Sequence, residues 1–154
     1  MESQIYILLH ISCRCENAYG RSLATYFKNK YSKICDICDQ DLQITMVSNE
    51  DVDIINIYRS GNNKTFKNRL IDIVRMDKPT IICGDLNCDI KFENPDFLQT
   101  LQVLGFQKLN QKPTHDMGRS IDCVFANSFL KDAVTFRQFG IGFSDHDCLL
   151  IKIN

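Results

Sequence analysis

Three short polar segments of the sequence carry residue types that could do chemistry. Residues 84–87, Gly-Asp-Leu-Asn, place a carboxylate and an amide directly after the apolar run 80–83. Such groups at the end of a buried strand lie at the rim of a sheet, where α/β proteins usually bind ligands. Aspartate and asparagine are also common turn residues. This segment alone therefore indicates either a ligand site or a turn.

The other two segments combine acids with a histidine. Asp122 lies in the apolar run 121–125 and should share a strand face with Val124 and Ala126. An acid in such a run is rarely buried without a partner, and it would orient a partner histidine and make it more basic. In the segment 144–146, Ser-Asp-His, the histidine can titrate near neutral pH and the aspartate can bind a hard cation. A solvated strand face and an exposed loop are the competing interpretations.

The hydrophobic pattern predicts the elements that would position these segments. Apolar or alternating runs predict strands at 5–11, 22–27, 42–47, 52–58, 80–83, 121–126, 134–139 and 147–153. A helical period predicts one helix over 65–77, ended by Lys78-Pro79, and a second from Asn94-Pro95-Asp96 to Gly105. Strands separated by two amphipathic helices indicate a mixed, layered α/β fold, and residues 1–154 are expected to form one domain.

The composition is that of an ordinary globular domain. Of the 154 residues, 44% are hydrophobic and 24% are charged, which excludes a disordered tail. The net charge of −1 leaves no basic excess, so any nucleic-acid contact must come from a local arrangement. The longest apolar run, 5–11, is too short to span a bilayer and lacks the flanks of a signal peptide. We therefore expect an intracellular protein, nuclear or cytoplasmic, that is not secreted and makes no membrane contact.

The eight cysteines are expected to be reduced thiols, because no secretory signal precedes them. Cys83, Cys123 and Cys148 lie in apolar runs, where free cysteine behaves as a small hydrophobic residue. Cys13 with Cys15 and Cys35 with Cys38 offer four thiolates that could hold zinc tetrahedrally. The first pair is more tightly spaced than is usual for zinc ligands, and the alternative is that all four are strand and loop thiols.

The three polar segments occur in an order that resembles the endonuclease/exonuclease/phosphatase superfamily, which shares the deoxyribonuclease-I-like fold. That family carries a strand ending in Gly-Asp-Phe/Leu-Asn, then an Ile/Leu-Asp strand, then Ser-Asp-His. In segment 57–60, Ile-Tyr-Arg-Ser, the tyrosine that ends the strand before the predicted helix 65–77 also matches the family. Segment 112–115, Lys-Pro-Thr-His, resembles the version in endonucleases of retrotransposons and other mobile elements.

The resemblance implies a Mg²⁺-dependent phosphodiesterase, with Mn²⁺ as an alternative ion, that acts as a DNA endonuclease on the phosphate backbone. It implies that His146 meets the scissile phosphate and that Asp122 orients His146. Asp85 would position or deprotonate the attacking water, supported by Asn87. The remaining implied contacts are phosphate oxygens for Tyr58, Asn87 and Thr114, and the metal for Asp145 and Glu2. Basic residues near the motifs would either attract DNA or be ordinary surface residues; they are Arg59, Lys64, Lys112, Arg119 and Arg137.

The sequence departs from the family pattern at its start. The family has a first strand with an asparagine, then a helix and a second strand ending in a metal-binding glutamate. The first strand and helix have no counterpart here, so we expect a fold that lacks them. Such a chain could be poorly stable alone or could need an upstream or fused segment. Glu2 is either the remnant of the glutamate motif or a frayed terminal residue. Two further alternatives are a phosphatase of the same superfamily and a catalytically inactive remnant.

Overall fold

The computed structural model describes residues 31–39, 41–60, 65–89, 96–130 and 132–153. In chain order the described elements are β1 (Ser32–Asp39), β2 (Leu42–Ser48), β3 (Asp53–Arg59), α1 (Phe66–Ile73), β4 (Thr80–Asp85), α2 (Asp96–Val103), β5 (Phe106–Lys108), β6 (Asp122–Asn127), β7 (Val134–Phe139) and β8 (Cys148–Ile153). A short 3₁₀ turn, Ser128–Leu130, follows β6. Among the described residues, no helix has the length and apolar character needed to cross a membrane.

Six of these strands form one mixed sheet in the order β1-β2-β3-β4-β6-β5. The central pair, β3 and β4, is parallel, because α1 carries the chain across one face of the sheet between them. The neighbouring pairs β2/β3 and β4/β6 are antiparallel. Every residue of β3 and β4 is buried, which explains their nearly continuous apolar sequence. The site segments 57–60 and 84–87 therefore leave the sheet at the same edge.

The sheet is covered on both faces. Both helices pack on one face through a cluster that includes Phe66, Leu70, Phe97 and Leu101. The hairpin of β7 and β8 packs on the other face, where Leu149 and Ile151 meet side chains of β3, β4 and β6. The layered α/β fold is as predicted. Side chains of the central strands point alternately to the two faces of the sheet, so each strand contributes to two separate cores.

Most of the predicted elements are confirmed within a residue or two of their expected ends. The helix predicted over 65–77 is wrong at its end: α1 stops at Ile73, and Val74 takes an extended conformation with ψ of 125°. The chain leaves the helix early because Arg75 turns to pair with Asp53. The hydrophobic pattern does not predict β1, because β1 is a largely exposed edge strand with a polar sequence. It does not predict β5 either, because β5 has only three residues. The strands predicted at 5–11 and 22–27 lie outside the described residues.

The geometry of β1 argues against the four-cysteine zinc site. Cys35 lies opposite Met46 of the helix-facing core, whereas Cys38 lies opposite Gln43. Since side chains alternate along a strand, the two thiols point to opposite faces of β1 and cannot share a metal ion without unpairing the strand. The six described cysteines are free thiols, and Cys13 and Cys15 lie outside the described residues. Burial raises the pKa of the Cys83 thiol to about 12.

A buried ion-pair network ties the start of β3 to the segment that follows α1. The fully buried carboxylate of Asp53 accepts hydrogen bonds from Arg75 Nε at 2.6 Å and from Ser48 Oγ at 2.6 Å, and Lys78 Nζ lies 3.3 Å away. Burial by itself would raise the pKa of Asp53. The hydrogen bonds from Arg75, Ser48 and Lys78 outweigh burial, so the pKa is lowered.

Asp53→Asn is expected to lower the free energy of unfolding by about 3 kcal/mol, because two cations lose their buried partner charge. The lowered pKa means that this contribution is present above the unfolded-state pKa and is lost as pH falls through the folded-state pKa. The free energy of unfolding of the variant should therefore fall less than that of the wild type when the pH is lowered. Urea unfolding at neutral and acidic pH measures both effects, with the exposed neighbour change Asp51→Asn as the control. Equal stability of Asp53→Asn and the wild type at neutral pH would contradict the assignment.

Candidate active site

Three neighbouring strands bring Tyr58, Asp85 and Asp122 together at one edge of the large sheet. Tyr58 is in register with Asp85 across the β3/β4 pair, and Asp85 is in register with Asp122 across the β4/β6 pair. All three side chains share the sheet face that the β7–β8 hairpin covers, because they alternate with residues of the helix-facing core. All three residues are buried. Asp122 is therefore not on a solvated strand face.

The connection from β7 to β8 places His146 over this row of side chains. His146 Nδ1 lies 2.9 Å from Asp122 Oδ2, and the Asp122 side chain is only 2% exposed. The hydrogen bond with Asp122 raises the pKa of His146, although burial acts in the opposite direction. Asp122 fixes the ring orientation at Nδ1, so His146 would meet a substrate through Nε2.

The backbone of Asp122 is itself held by buried polar side chains. The Asp122 N–H donates to Thr114 Oγ1 at 3.0 Å, and Asn110 Nδ2 donates to the Asp122 carbonyl at 2.9 Å. Thr114 and Asn110 are both fully buried. The resemblance assigns Thr114 to a phosphate oxygen, but the structure places its hydroxyl behind Asp122, where it positions the strand. No sequence motif pointed to Asn110, whose role appears only once the strand and the loop are placed together.

The turn after β4 orients Asn87 next to Asp85. Asn87 has a positive φ of 46°, and its N–H donates to Asp85 Oδ1 at 2.8 Å. The carbonyl of Leu86 accepts a hydrogen bond at 3.0 Å from Arg59 Nη1, and the Arg59 guanidinium lies 5.6 Å from the ring centroids of both Phe66 and Phe97. The interpretation of Arg59 as a DNA-attracting or solvated surface residue is therefore wrong. Arg59 is buried on the helix side of the sheet, where it supports the turn.

Two loops pair at the mouth of the site. The Asp116 N–H donates to the Asp145 carbonyl at 2.9 Å, and the Asp147 N–H donates to the Thr114 carbonyl at 2.7 Å. His115 and His146 form the bridge between the loops, with ring centroids 4.9 Å apart and planes at 74°. Asp145 is exposed, and its Oδ2 lies 3.4 Å from His115 Nε2. In the sequence His115 stands out only as the last residue of the segment 112–115, and the structure brings it into the site.

The donor atoms at the site suit a hard divalent cation. Two groups could hold an ion within the described residues: Asp85 with Asp122 and His146, and His115 with Asp145 and His146. The Asp122 carboxylate already binds His146 Nδ1, so Asp85 is the main carboxylate donor in the first group and Asp145 in the second. Mg²⁺ takes one or two carboxylates and completes its shell with water and substrate oxygens. Each group therefore offers a carboxylate to a divalent cation, and Glu2 lies outside the described residues.

The structure thus gathers most of the predicted site residues and leaves some aside. Asp85 and Asp122 lie with His146 in one group, Asp145 lies with His146 in the other, and Asn87 is next to Asp85. Tyr58 is in strand register with Asp85. Lys112 and Arg137 are exposed, and Arg119 is half-buried. Lys64 lies outside the described residues.

The fold is similar to those of several solved structures. With the endonuclease domain of TRAS1, a telomere-specific non-LTR retrotransposon, the TM-score is 0.62 at 16% identity, covering 83% of this chain and 69% of that domain. With the cytolethal distending toxin of Haemophilus ducreyi, the TM-score is 0.52 at 10% identity, covering 85% of this chain and 60% of the toxin chain. An endonuclease/exonuclease/phosphatase family protein from Leptotrichia buccalis C-1013-b gives a TM-score of 0.47 at 16% identity, covering 73% of this chain and 53% of that chain.

No protein-family model matches the sequence, and no curated protein matches it. The chain spans between 53% and 69% of the length of the three solved structures. At these identities the similarity concerns the fold. The motif order predicted that fold from the sequence, and the TM-score of 0.62 with a retrotransposon endonuclease domain confirms it. The described part of the chain therefore has a deoxyribonuclease-I-like α/β fold.

Proposed function

We propose that the protein is a divalent-metal-dependent endonuclease that hydrolyses phosphodiester bonds in DNA. The observation that carries the proposal is the Asp122–His146 pair, held at 2.9 Å beside Asp85. The fold is that of a retrotransposon endonuclease domain, which supports an origin in a mobile element. A histidine oriented by a buried carboxylate, next to a second carboxylate, is suited to phosphoryl chemistry.

Each side chain at the site would have a separate role in hydrolysis. His146 donates from Nε2 to a phosphoryl oxygen, where negative charge grows as water attacks. Asp122 keeps the ring in the required orientation and stabilises its protonated form. Asp85 orients the attacking water and accepts its proton, while Asn87 supports Asp85 through the backbone hydrogen bond at 2.8 Å. The polar ends of Tyr58 and Asn87 would contact phosphate oxygens.

Asp145 would hold Mg²⁺, with Mn²⁺ as an alternative, and Glu2, outside the described residues, is the other ligand that the family resemblance implies. When bound, the ion neutralises charge on the phosphoryl oxygens. The protein's own groups supply everything else in the reaction. Asp85 shares one candidate group with His146 and Asp145 shares the other, so each carboxylate lies close to His146.

DNA would be held through its backbone, without help from bulk charge. Lys112 and Arg137 are exposed and could pair with phosphates. Phosphate contacts fix position and carry no sequence information, so the contacts proposed here imply no target preference. The proposal places the protein in the nucleus or cytoplasm, where the described cysteines would remain free thiols.

Nicking of supercoiled plasmid by the purified chain in Mg²⁺ tests the proposal. We expect conversion to open circles that stops in EDTA and in a His146→Ala variant. A parallel assay on inositol phosphates tests the alternative of a phosphatase in the same superfamily. Phosphate release from the inositol compounds without plasmid nicking would replace the nuclease assignment with a phosphatase. A folded chain that binds Mn²⁺ but attacks neither substrate would be an inactive relative and would overturn the proposed activity.

A further inference from the structure

We propose that His115 is a positioning residue, which donates a hydrogen bond from Nε2–H to Asp145 and thereby holds that carboxylate toward a divalent cation. This inference rests on the proposed function only in giving Asp145 a metal to hold. His115 Nε2 lies 3.4 Å from Asp145 Oδ2. The separation is slightly longer than a typical N–H···O hydrogen bond, and a small rotation of the exposed Asp145 side chain would close it.

The backbone of the next turn decides the tautomer of His115. The Met117 N–H donates to His115 Nδ1 at 3.1 Å, so Nδ1 carries a lone pair and no proton. In a neutral imidazole the other nitrogen then carries the proton. Nε2–H is therefore the donor that faces Asp145.

The same tautomer makes His115 a poor metal ligand. A cation at Nε2 needs the lone pair there, which would move the proton to Nδ1, directly against the Met117 N–H. Asp145 keeps one carboxylate oxygen for His115 and offers the other to the cation. Within the group of His115, Asp145 and His146, the aspartate is thus the ligand and His115 is its support. Partners of this kind orient metal ligands and raise metal affinity.

Contacts between the two loops hold the His115 ring close to the Asp145 carboxylate. The Asp116 N–H and the Asp145 carbonyl, 2.9 Å apart, tie the two loops together immediately beside the pair. The His115 ring also packs edge-on against His146, which limits its rotation. The imidazole is only 14% exposed, whereas the Asp145 side chain is 60% exposed. A nearly buried, fixed donor therefore restrains an exposed carboxylate.

Two substitutions separate hydrogen bonding from ring packing. His115→Phe keeps a ring against His146 and removes the donor. His115→Gln removes the ring and keeps an N–H donor near the position of Nε2. Binding of Mn²⁺ alone, measured by electron paramagnetic resonance without DNA, is expected to weaken about tenfold in His115→Phe. In His115→Gln it should recover most of that loss.

A double-mutant cycle with Asp145→Asn provides the decisive readout. If His115 acts through Asp145, adding His115→Phe to Asp145→Asn should cause no further loss of Mn²⁺ affinity. Wild-type affinity in folded His115→Phe, or equal additional losses in both backgrounds, would overturn the inference. The outcome is separate from the nicking assay, because Mn²⁺ binding that depends on His115 in a chain inactive on DNA would support this role while refuting the nuclease.

Discussion

Replacing Asp122 with asparagine is expected to reduce plasmid nicking on the order of a thousandfold, with little change in the fold. Loss of a carboxylate that orients a catalytic histidine has effects of this size in hydrolases, because the ring no longer has a fixed tautomer. In this protein the carboxylate lies 2.9 Å from His146 Nδ1 and is almost fully buried, so water cannot replace it. Single-turnover nicking with the variant in excess over plasmid measures the chemical step.

The pH dependence gives a second test of the same pair. The hydrogen bond with Asp122 is the largest cause of the raised pKa of His146. If the imidazolium donates to the phosphate, activity is present below that pKa and falls as pH rises through it. Asp122→Asn removes the main cause of the raised His146 pKa, so the residual activity should begin to fall at a lower pH than in the wild type.

A charge-matched control is available nearby. Asp116→Asn removes an acid from the exposed loop beside the site and should leave the nicking rate near that of the wild type. Circular dichroism of both variants checks the fold. A folded Asp122→Asn chain that nicks plasmid at the wild-type rate would show that His146 acts without this partner.

Gly84→Ala is expected to destabilise the protein by about 4 kcal/mol, from overpacking and backbone strain together. Gly84 has a φ of +139°, which L side chains rarely adopt, and an added Cβ would lie 1.8 Å from the carbonyl oxygen of Ile57. That carbonyl belongs to the neighbouring parallel strand β3, so it cannot move without disturbing the centre of the sheet. Relief would require β4 to shift away, which would also separate Asp85 from Tyr58.

Gly105→Ala is the matched control for the strained backbone. Gly105 also has a positive φ, 78°, but an added Cβ would meet no atom within 4 Å. The control should lose only about 1 kcal/mol, the cost of the conformation itself. Urea unfolding followed by circular dichroism compares the two variants, and equal losses would mean that β3 and β4 tolerate the extra methyl group.

The structure explains why the sequence could indicate the site residues but not their arrangement. Asp122 attracted notice because an acid in an apolar run needs a partner, which is a local property of the chain. The partner is His146, 24 residues further on. For Arg59, in contrast, the local sequence pointed to the wrong environment. Its position beside a motif suggested a surface cation, whereas strand alternation turned its side chain toward Phe66 and Phe97.

By itself the sequence determined the layered α/β fold, the buried character of β3 and β4, and the order of the polar segments along the chain. These properties are local, because periodicity and apolar runs set which face of an element is buried. Only the tertiary structure decided that Thr114 and Asn110 hold the backbone of Asp122, that α1 ends early where Arg75 reaches Asp53, and that His115 faces Asp145. Each of these contacts joins a strand or loop to a different segment of the chain, so it depends on strand register and loop packing, which no local pattern encodes.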